Sequence, residues 1–466
     1  MVSLAEFTDS FYQFERDHQL FEQKIGGIYF WALIRDRIHD NILIQKGLLK
    51  NKSQTVPSGL GGKIKSFSKY LVHATANSLS RCPQADTLII NHPRKVKKEG
   101  RYIDIYSQWL VDDLKKKQQS YLVLDMPLNW SGHPMLADQH TRNAESFSII
   151  KKVFYKYFKK SSNLENNDYL KQLSEKLIQK FGNDGDLIKT CFQQMQIFLA
   201  DRQYYLKLLR KISPKKIYYV VINSMFGMIA AAHQLGIQVE EIQHGLMCRY
   251  HLNYSFPYND HIPYFPDRFC LFGKYWGEIT PLPLPEFSLD YYVSSIREYE
   301  PGAARESKNN KIMFLTQLNF SPEMFRFLKK VLEQPGQQDF EFIIKLHPSE
   351  YHVWREIYPE LEELIACPNV TLIDNFDTPL YELFKQADSV AGVASTSLFE
   401  ALYFGCDVYL LNIPGVDWVR PLMDERFSTF VEKPEDFLPK LRAHKLRQVD
   451  MEYIFYSGIP DDSKRS

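Results

Sequence analysis

The run Phe342-Ile343-Ile344-Lys345-Leu346-His347-Pro348-Ser349-Glu350 begins apolar and ends in a cation, an imidazole and a proline. A continuous apolar segment of this length suits a parallel strand buried on both faces, with polar groups delivered at its C-terminal end. Proline after His347 stops the ladder and holds the preceding residue extended. A second strand end follows downstream, Ser389-Val390-Ala391-Gly392-Val393-Ala394. It runs into Ser395-Thr396-Ser397-Leu398-Phe399-Glu400 and a helical pattern that stops at Gly405. Hydroxyl residues at a helix start leave backbone N–H groups outward, an arrangement suited to an anion such as phosphate. The two strand ends are expected to be neighbours at the carboxyl edge of one open α/β sheet and to form a phosphate site there.

Apolar runs of the same kind recur on both sides. Asp86-Thr87-Leu88-Ile89-Ile90-Asn91-His92-Pro93, Ser120-Tyr121-Leu122-Val123-Leu124-Asp125, 216–223, 239–245 and 268–273 read as strands of a first α/β set. Residues 311–316, 341–346, 370–373, 389–394, 408–411 and 429–431 read as those of a second. A basic loop (Arg94, Lys95, Lys97, Lys98, Arg101) follows the first strand, and a helix around 106–117 leads to the next. The expected division is a helical N-terminal segment, 1–82, and a first domain, 83–280, with a helical insertion at 140–212. A linker, 281–310, a second domain, 311–445, and a tail, 446–466, which returns to the first domain, complete it. Within 1–55, an apolar stripe through Leu20, Ile28, Trp31, Ile34 and Ile38, with Arg35 and Arg37 between, reads as core packing.

A chain of 466 residues needs two or three domains, and 44% apolar content with a net charge of +1 indicates a soluble globular protein. The absence of a basic excess argues against nucleic acid as a partner. Six scattered cysteines form no metal-type pair and read as free thiols in a reducing cytosol. The acidic residues of MVSLAEFTDSFYQFERD exclude a signal peptide, and no apolar run reaches the ~18 residues of a membrane span. Two basic-aromatic segments, 63–81 and 149–160, suit either a solvated helix face or an anionic membrane surface.

The candidate phosphate residues are Lys345, His347, Ser395, Thr396 and Ser397, with Glu400 placed to accept from ribose hydroxyls and Thr316 and Gln317 ending the first strand of that domain. In the first half, Gln243-His244-Gly245 offers His244 as a general base for a hydroxyl nucleophile, with Asp104 as a rival. The polar-aromatic loop at 246–266, carrying Arg249 and Tyr254, together with Gln243, is the candidate acceptor contact. Asp184-Gly185-Asp186 reads as a turn, and no HExxH, Walker A or GxGxxG pattern is present. Phosphate handling is therefore expected to use side chains and backbone, without metal or cofactor.

Lys345-Leu346-His347-Pro348 and Ser395-Thr396-Ser397-Leu398-Phe399-Glu400-Ala401-Leu402-Tyr403-Phe404-Gly405 together resemble the C-terminal domain of GT-B-fold glycosyltransferases of bacterial surface polysaccharides. The pair is similar to the HP and Ser/Thr elements of sialyltransferases, capsule Kdo transferases and teichoic-acid glycerophosphotransferases. Gln243-His244-Gly245 resembles an element of capsule-synthesis proteins. The resemblance implies α/β architecture with two Rossmann-like domains facing a central cleft, and His347 with Ser395 and Thr396 on the phosphate of a cytidine nucleotide. It implies a nucleotide-sugar donor, CMP-linked by preference, a glycan or lipid-linked glycan acceptor, and a cytoplasmic enzyme peripheral to the inner face of the inner membrane. Glycerophosphotransfer from CDP-glycerol, a non-catalytic nucleotide-sugar-binding scaffold and a sugar epimerase of the same fold are the alternatives. An Asp/Glu-rich base motif of the sialyltransferase kind is not evident in this chain.

Overall fold

The computed structural model describes residues 4–47, 82–92, 95–98, 101–126, 140–143, 167–221, 225–259, 261–302, 310–318, 320–375, 377–443 and 447–458. The segments 63–81 and 149–160, and Asn223, lie outside these residues. The chain divides into two units: Met1–His244 with His251–Phe272 and Pro281–Ser294, and Gly245–Tyr250 with Gly273–Thr280 and Ser295–Ser466.

Strands recur along the chain, most of them formed by short apolar runs bounded by polar and turn residues. In the first unit they are β1 (Thr87–Ile90), β2 (Lys95–Lys98), β3 (Arg101–Asp104), β4 (Tyr121–Asp125), β5 (Thr141–Asn143), β6 (Lys216–Val220), β7 (Gln238–Ile242), β8 (Arg268–Leu271) and β9 (Leu289–Tyr291). Seven of them form a parallel sheet in the order β5-β4-β1-β6-β7-β8-β9. Every residue of β1 and β4 is buried, as a parallel sheet covered on both faces requires.

Of the basic residues read as a loop, Lys95, Lys97, Lys98 and Arg101 are instead in the antiparallel hairpin β2–β3, Lys95 opposite Asp104 and Lys98 opposite Arg101, and Arg94 lies outside the described residues. Val96, Tyr102 and Ile103 supply enough β-propensity to pair once the ends are held. The stretch read as a linker contributes β9 to the edge of the first sheet. The 140–212 insertion also begins with a strand, β5, ahead of its helices Asp168–Phe181 and Leu187–Ile212. The first of these helices is capped by the Asn167 side chain on Leu170 N–H and closed by Gly182 at φ 79°, a conformation that costs glycine nothing. Asp184-Gly185-Asp186 is the turn between the two helices.

The N-terminal helix Leu4–Asp17 packs Phe7, Phe11 and Phe14 around Phe181, and the helix Phe30–Gln45 joins it through Trp31, stacked on Phe11. Arg35, which the sequence pattern sets beside the apolar stripe, is fully buried. Its guanidinium forks onto Glu15 at 2.8 and 2.7 Å and donates to the carbonyls of Leu252 and Ser255 at 2.6 and 3.0 Å. The N-terminal helices therefore hold the far part of the 246–266 loop.

The second unit contains β10 (Lys311–Leu315), β11 (Glu341–Lys345), β12 (Val370–Ile373), β13 (Ser389–Gly392), β14 (Asp407–Leu411) and β15 (Ser428–Val431). They are parallel throughout, in the order β12-β11-β10-β13-β14-β15. Numbered within each sheet, the second follows 3-2-1-4-5-6 and the first 3-2-1-4-5-6-7, the order of a Rossmann-like doubly wound fold with a seventh strand added at the edge of the first. The fold class read from the sequence, two Rossmann-like α/β units, is the one observed. In the tail, the Ile454 carbonyl accepts the Trp276 indole N–H at 3.0 Å. Among the described residues no cysteine forms a disulfide, and five of the six are buried. No helix of the described residues is long and apolar enough to cross a membrane.

Candidate functional site

The strand order of the second unit reverses between β10 and β13, so the crevice at their carboxyl ends is its topological switch point. The ends of β11 and β13 are not neighbours, as the sequence suggested; β10 lies between them. Strand separations of about 4.8 Å set the two motifs roughly 10 Å apart, with Thr316 and Gln317 in the middle. This inserted strand end ties the site together. The Thr316 hydroxyl donates to the Glu350 carboxylate and accepts the His347 backbone N–H at 2.9 Å. Glu350 is fully buried and accepts from His347 N–H at 2.8 Å, Ser321 hydroxyl at 2.6 Å and Tyr358 hydroxyl at 2.8 Å. Burial first, then the Glu350 charge, pushes the Tyr358 phenol above its ordinary range and keeps it a donor.

His347 itself is exposed. Its Nδ1 accepts the Ser349 backbone N–H at 3.3 Å and lies 2.7 Å from the Ser349 hydroxyl. With Nδ1 accepting, the neutral ring carries its proton on Nε2, a tautomer inferred from these bonds. Lys345 is turned inward: it is buried, its ammonium donating to the Tyr351 hydroxyl and to the Leu346 carbonyl at 3.3 Å. Gln317 uses its carbonyl to accept the Ser321 hydroxyl at 2.9 Å.

Beyond β13, Ala394 adopts φ 46°, a left-handed conformation that strains any residue with a Cβ. It swings the chain so that the buried Ser395 hydroxyl accepts Ser397 N–H at 3.2 Å. Ser397 opens the helix Ser397–Tyr403, and Glu400 on it accepts the Tyr381 hydroxyl at 2.9 Å. Gly245 belongs to this unit, and a Cβ added there would lie 3.6 Å from Thr396 Oγ1. Gly245 and Thr396, far apart in sequence, thus meet within this unit.

In the first unit, His244 follows β7 and its ring stacks against His92, which follows β1, at 5.6 Å between centroids. Tyr106 meets both rings edge-on, at 5.1 and 6.1 Å. Burial, with the neighbouring His92 and His251 adding to it, pulls the His244 imidazole down to about 3. The ring is therefore neutral at ordinary pH, but so low a basicity makes it a weak proton acceptor, since an efficient general base has its pKa near the working pH. Asp104 is buried, and its carboxylate accepts from Ser107 hydroxyl at 2.7 Å and from His92 and Tyr106 N–H at 3.0 Å each. Burial pushes its carboxyl up although these bonds pull the other way. Its observed work is to fix the foot of the hairpin beneath His92. Beside it, Lys95 pairs with Asp125 at 2.7 Å, and Asn91 donates to Asp125 at 2.9 Å.

The acceptor candidates are dispersed. Gln243 is buried, accepting Phe272 N–H at 2.9 Å on its side chain and the Tyr292 hydroxyl at 2.7 Å on its carbonyl. Tyr254 is buried and donates to Glu241 at 2.7 Å. Arg249 is exposed and belongs to the second unit. Sequence reasoning missed His92 and Glu350. Each stands in a quoted motif, but what reveals it is a contact with a partner distant in sequence: His244 for the first, Thr316 and Ser321 for the second.

No family model matches the chain, and no curated protein matches it in sequence. Among solved structures it is similar to UDP-GlcNAc 2-epimerase from Methanocaldococcus jannaschii, in complex with UDP-GlcNAc and UDP. That match has 12% identity and a TM-score of 0.45, over 80% of this chain and 96% of that one. UDP-GlcNAc 2-epimerase from Neisseria meningitidis, bound to UDP-GlcNAc, matches with 13% identity and a TM-score of 0.39, over 70% and 81%. The glycotransferase of kitacinnamycin matches with 13% identity and a TM-score of 0.41, over 76% and 88%. What this chain does is therefore read from its own residues.

Proposed function

We propose that the chain is a metal-independent glycosyltransferase that moves a sugar from a nucleotide-activated donor to a bacterial surface-glycan acceptor. The observation that carries the reading is the switch-point crevice of the second unit. His347 and Thr316 stand on one side of it and the Ser395-Thr396 turn on the other, with Gly245 beside Thr396. The His347 Nε2–H and the hydroxyls of Ser395, Thr396 and Ser397 are the donors for the phosphate. They lower the barrier to the extent that they hold the charge growing on the leaving group more tightly than the ground state. Glu400 accepts from the ribose, and Lys345 supports the loop and its local positive charge. His244 is the proposed base for the acceptor hydroxyl, a role that requires its basicity to rise toward the working pH when substrate binds. The resemblance of the two motifs favours a CMP-linked 2-keto sugar acid, with no cofactor, and a cytoplasmic enzyme working at the inner face of the membrane.

The test is thermal stabilisation by CMP, CDP, UDP, GDP, ADP and dTDP. A nucleotide at a hundred times its Kd adds about 2.7 kcal/mol, a readily measured shift. The expected result is a shift with CMP, and product analysis with the matching CMP-sugar then reads transfer to a glycan. A shift with CDP alone and a phosphodiester product would mean glycerophosphotransfer. UDP alone, with sugar isomerised in the absence of acceptor, would mean epimerisation. No shift with any nucleotide overturns the phosphate site and leaves a scaffold role.

A further inference from the structure

A cavity of about 480 Å³ opens in the first unit, away from the His92–His244 pair. Its lining comes from the end of the helix Phe226–Gln234, from the residues just ahead of β8 and β9, and from the turn before the helix Phe30–Gln45. It therefore lies at the amino edge of the sheet, whereas His92 and His244 stand at the carboxyl edge. The size is that of a small-molecule site.

Its walls are built to keep their shape. Four prolines line it. Tyr264 is held at φ 62°, a conformation a tyrosine adopts only when its surroundings enforce it. Its ring packs on Phe198 at 4.6 Å and edge-on to Tyr29 at 6.2 Å, and its hydroxyl accepts the Tyr29 backbone N–H at 3.3 Å. The polar groups are equally fixed. Asp267 accepts Val239 N–H at 2.8 Å and pairs with His233 at 3.2 Å, the two side chains staying 42% and 37% exposed. Arg202 donates to Gln234 at 2.9 Å, and His261 stands exposed on the lining.

The chemistry of this set selects a ligand class. An anion would find the Asp267 carboxylate against it, and a cation would find Arg202. A hydroxyl both donates and accepts, so several hydroxyls on one ring satisfy a guanidinium, a carboxylate and two imidazoles together. Aromatic faces add apolar contact for the C–H side of such a ring. We infer that this cavity is a saccharide-binding site, separate from the transfer chemistry, that holds a pyranose unit of a glycan. Only the choice of glycans to test rests on the proposed function.

The probe is a printed array of bacterial surface oligosaccharides, neutral and acidic, followed by titration of the best binder. Wild-type protein is compared with Arg202→Gln, His261→Ala and Tyr264→Ala. The first two alter half-buried or exposed side chains and guard against a Tyr264 variant that fails to fold. The expected result is saccharide binding weakened at least tenfold in Arg202→Gln and His261→Ala, with thermal unfolding and any nucleotide-induced shift unchanged. Wild-type protein that binds no saccharide overturns the proposal, as does binding unaffected by these two variants. The nucleotide shift reads the second unit alone, so its loss would count against the transferase reading and leave the array result standing.

Discussion

The fully buried Glu350 carboxylate accepts the His347 backbone N–H at 2.8 Å and so fixes the loop that follows β11. It also gathers hydroxyl donors from Thr316, Ser321 and Tyr358. Glu350→Gln keeps the shape but replaces one acceptor oxygen with a donor facing other donors. A loss of about 2–4 kcal/mol is expected, because buried polar groups left unmatched lose more than a bond contributes. Urea denaturation measures it; a midpoint equal to wild type would show that the carboxylate does not organise the loop.

His347→Ala and Ser395→Ala each remove a proposed phosphate donor without touching the apolar core. Loss of one charge-assisted bond of about 1.5–3 kcal/mol weakens nucleotide binding roughly tenfold or more. Calorimetric titration reads this directly, with the apo unfolding temperature as the control. Unaltered affinity in both variants would remove these side chains from the phosphate site.

The lowered basicity of His244 makes stability depend on pH. Its folded value is about 3 against an ordinary 6.5, so between those values the unfolded chain binds a proton that the folded chain does not. This contribution is fully present above pH 6.5 and is lost as pH falls toward 3. His244→Gln should flatten the fall in the urea midpoint between pH 7 and roughly pH 4. Parallel wild-type and variant profiles would mean the imidazole is not held neutral by its surroundings.

Glu15→Ala leaves Arg35 charged, buried and without its carboxylate. Breaking such a pair costs about 3–5 kcal/mol, whereas replacing both partners with apolar side chains is often near neutral. Glu15→Leu with Arg35→Met should therefore recover most of the stability lost in Glu15→Ala. Equal losses in the single and double variants would show that the Arg35 bonds to Leu252 and Ser255 matter more than the ion pair.

Gly227 lies in the helix Phe226–Gln234, where propensity alone favours alanine by about 1 kcal/mol. An added Cβ would lie 2.5 Å from Asp201 Cβ and 2.8 Å from Arg202 N, too close without moving a backbone. Gly227→Ala should destabilise by about 1–3 kcal/mol, packing outweighing propensity. A stabilised variant would mean the two helices can separate freely.

What the sequence determined by itself was local. The apolar runs of β1, β4, β10, β11 and β13 announce parallel strands, because a strand covered on both faces has no room for alternation. Pro348 and Gly405 mark where elements stop, because backbone geometry is set within a residue or two. Local pattern was weaker where ends must be held from elsewhere. The β2–β3 hairpin looked like a basic loop because Asp104, bonded to His92, closes it from outside the charged run. Only the tertiary structure decided strand order, and with it the insertion of Thr316 between His347 and Ser395. It alone buried Arg35 on Glu15, stacked His92 on His244 and brought Gly245 to Thr396. Each of these depends on which distant groups are desolvated together. Burial turns a charge or an imidazole from a solvated surface feature into a paired or neutral one, and burial is a property of the assembled fold.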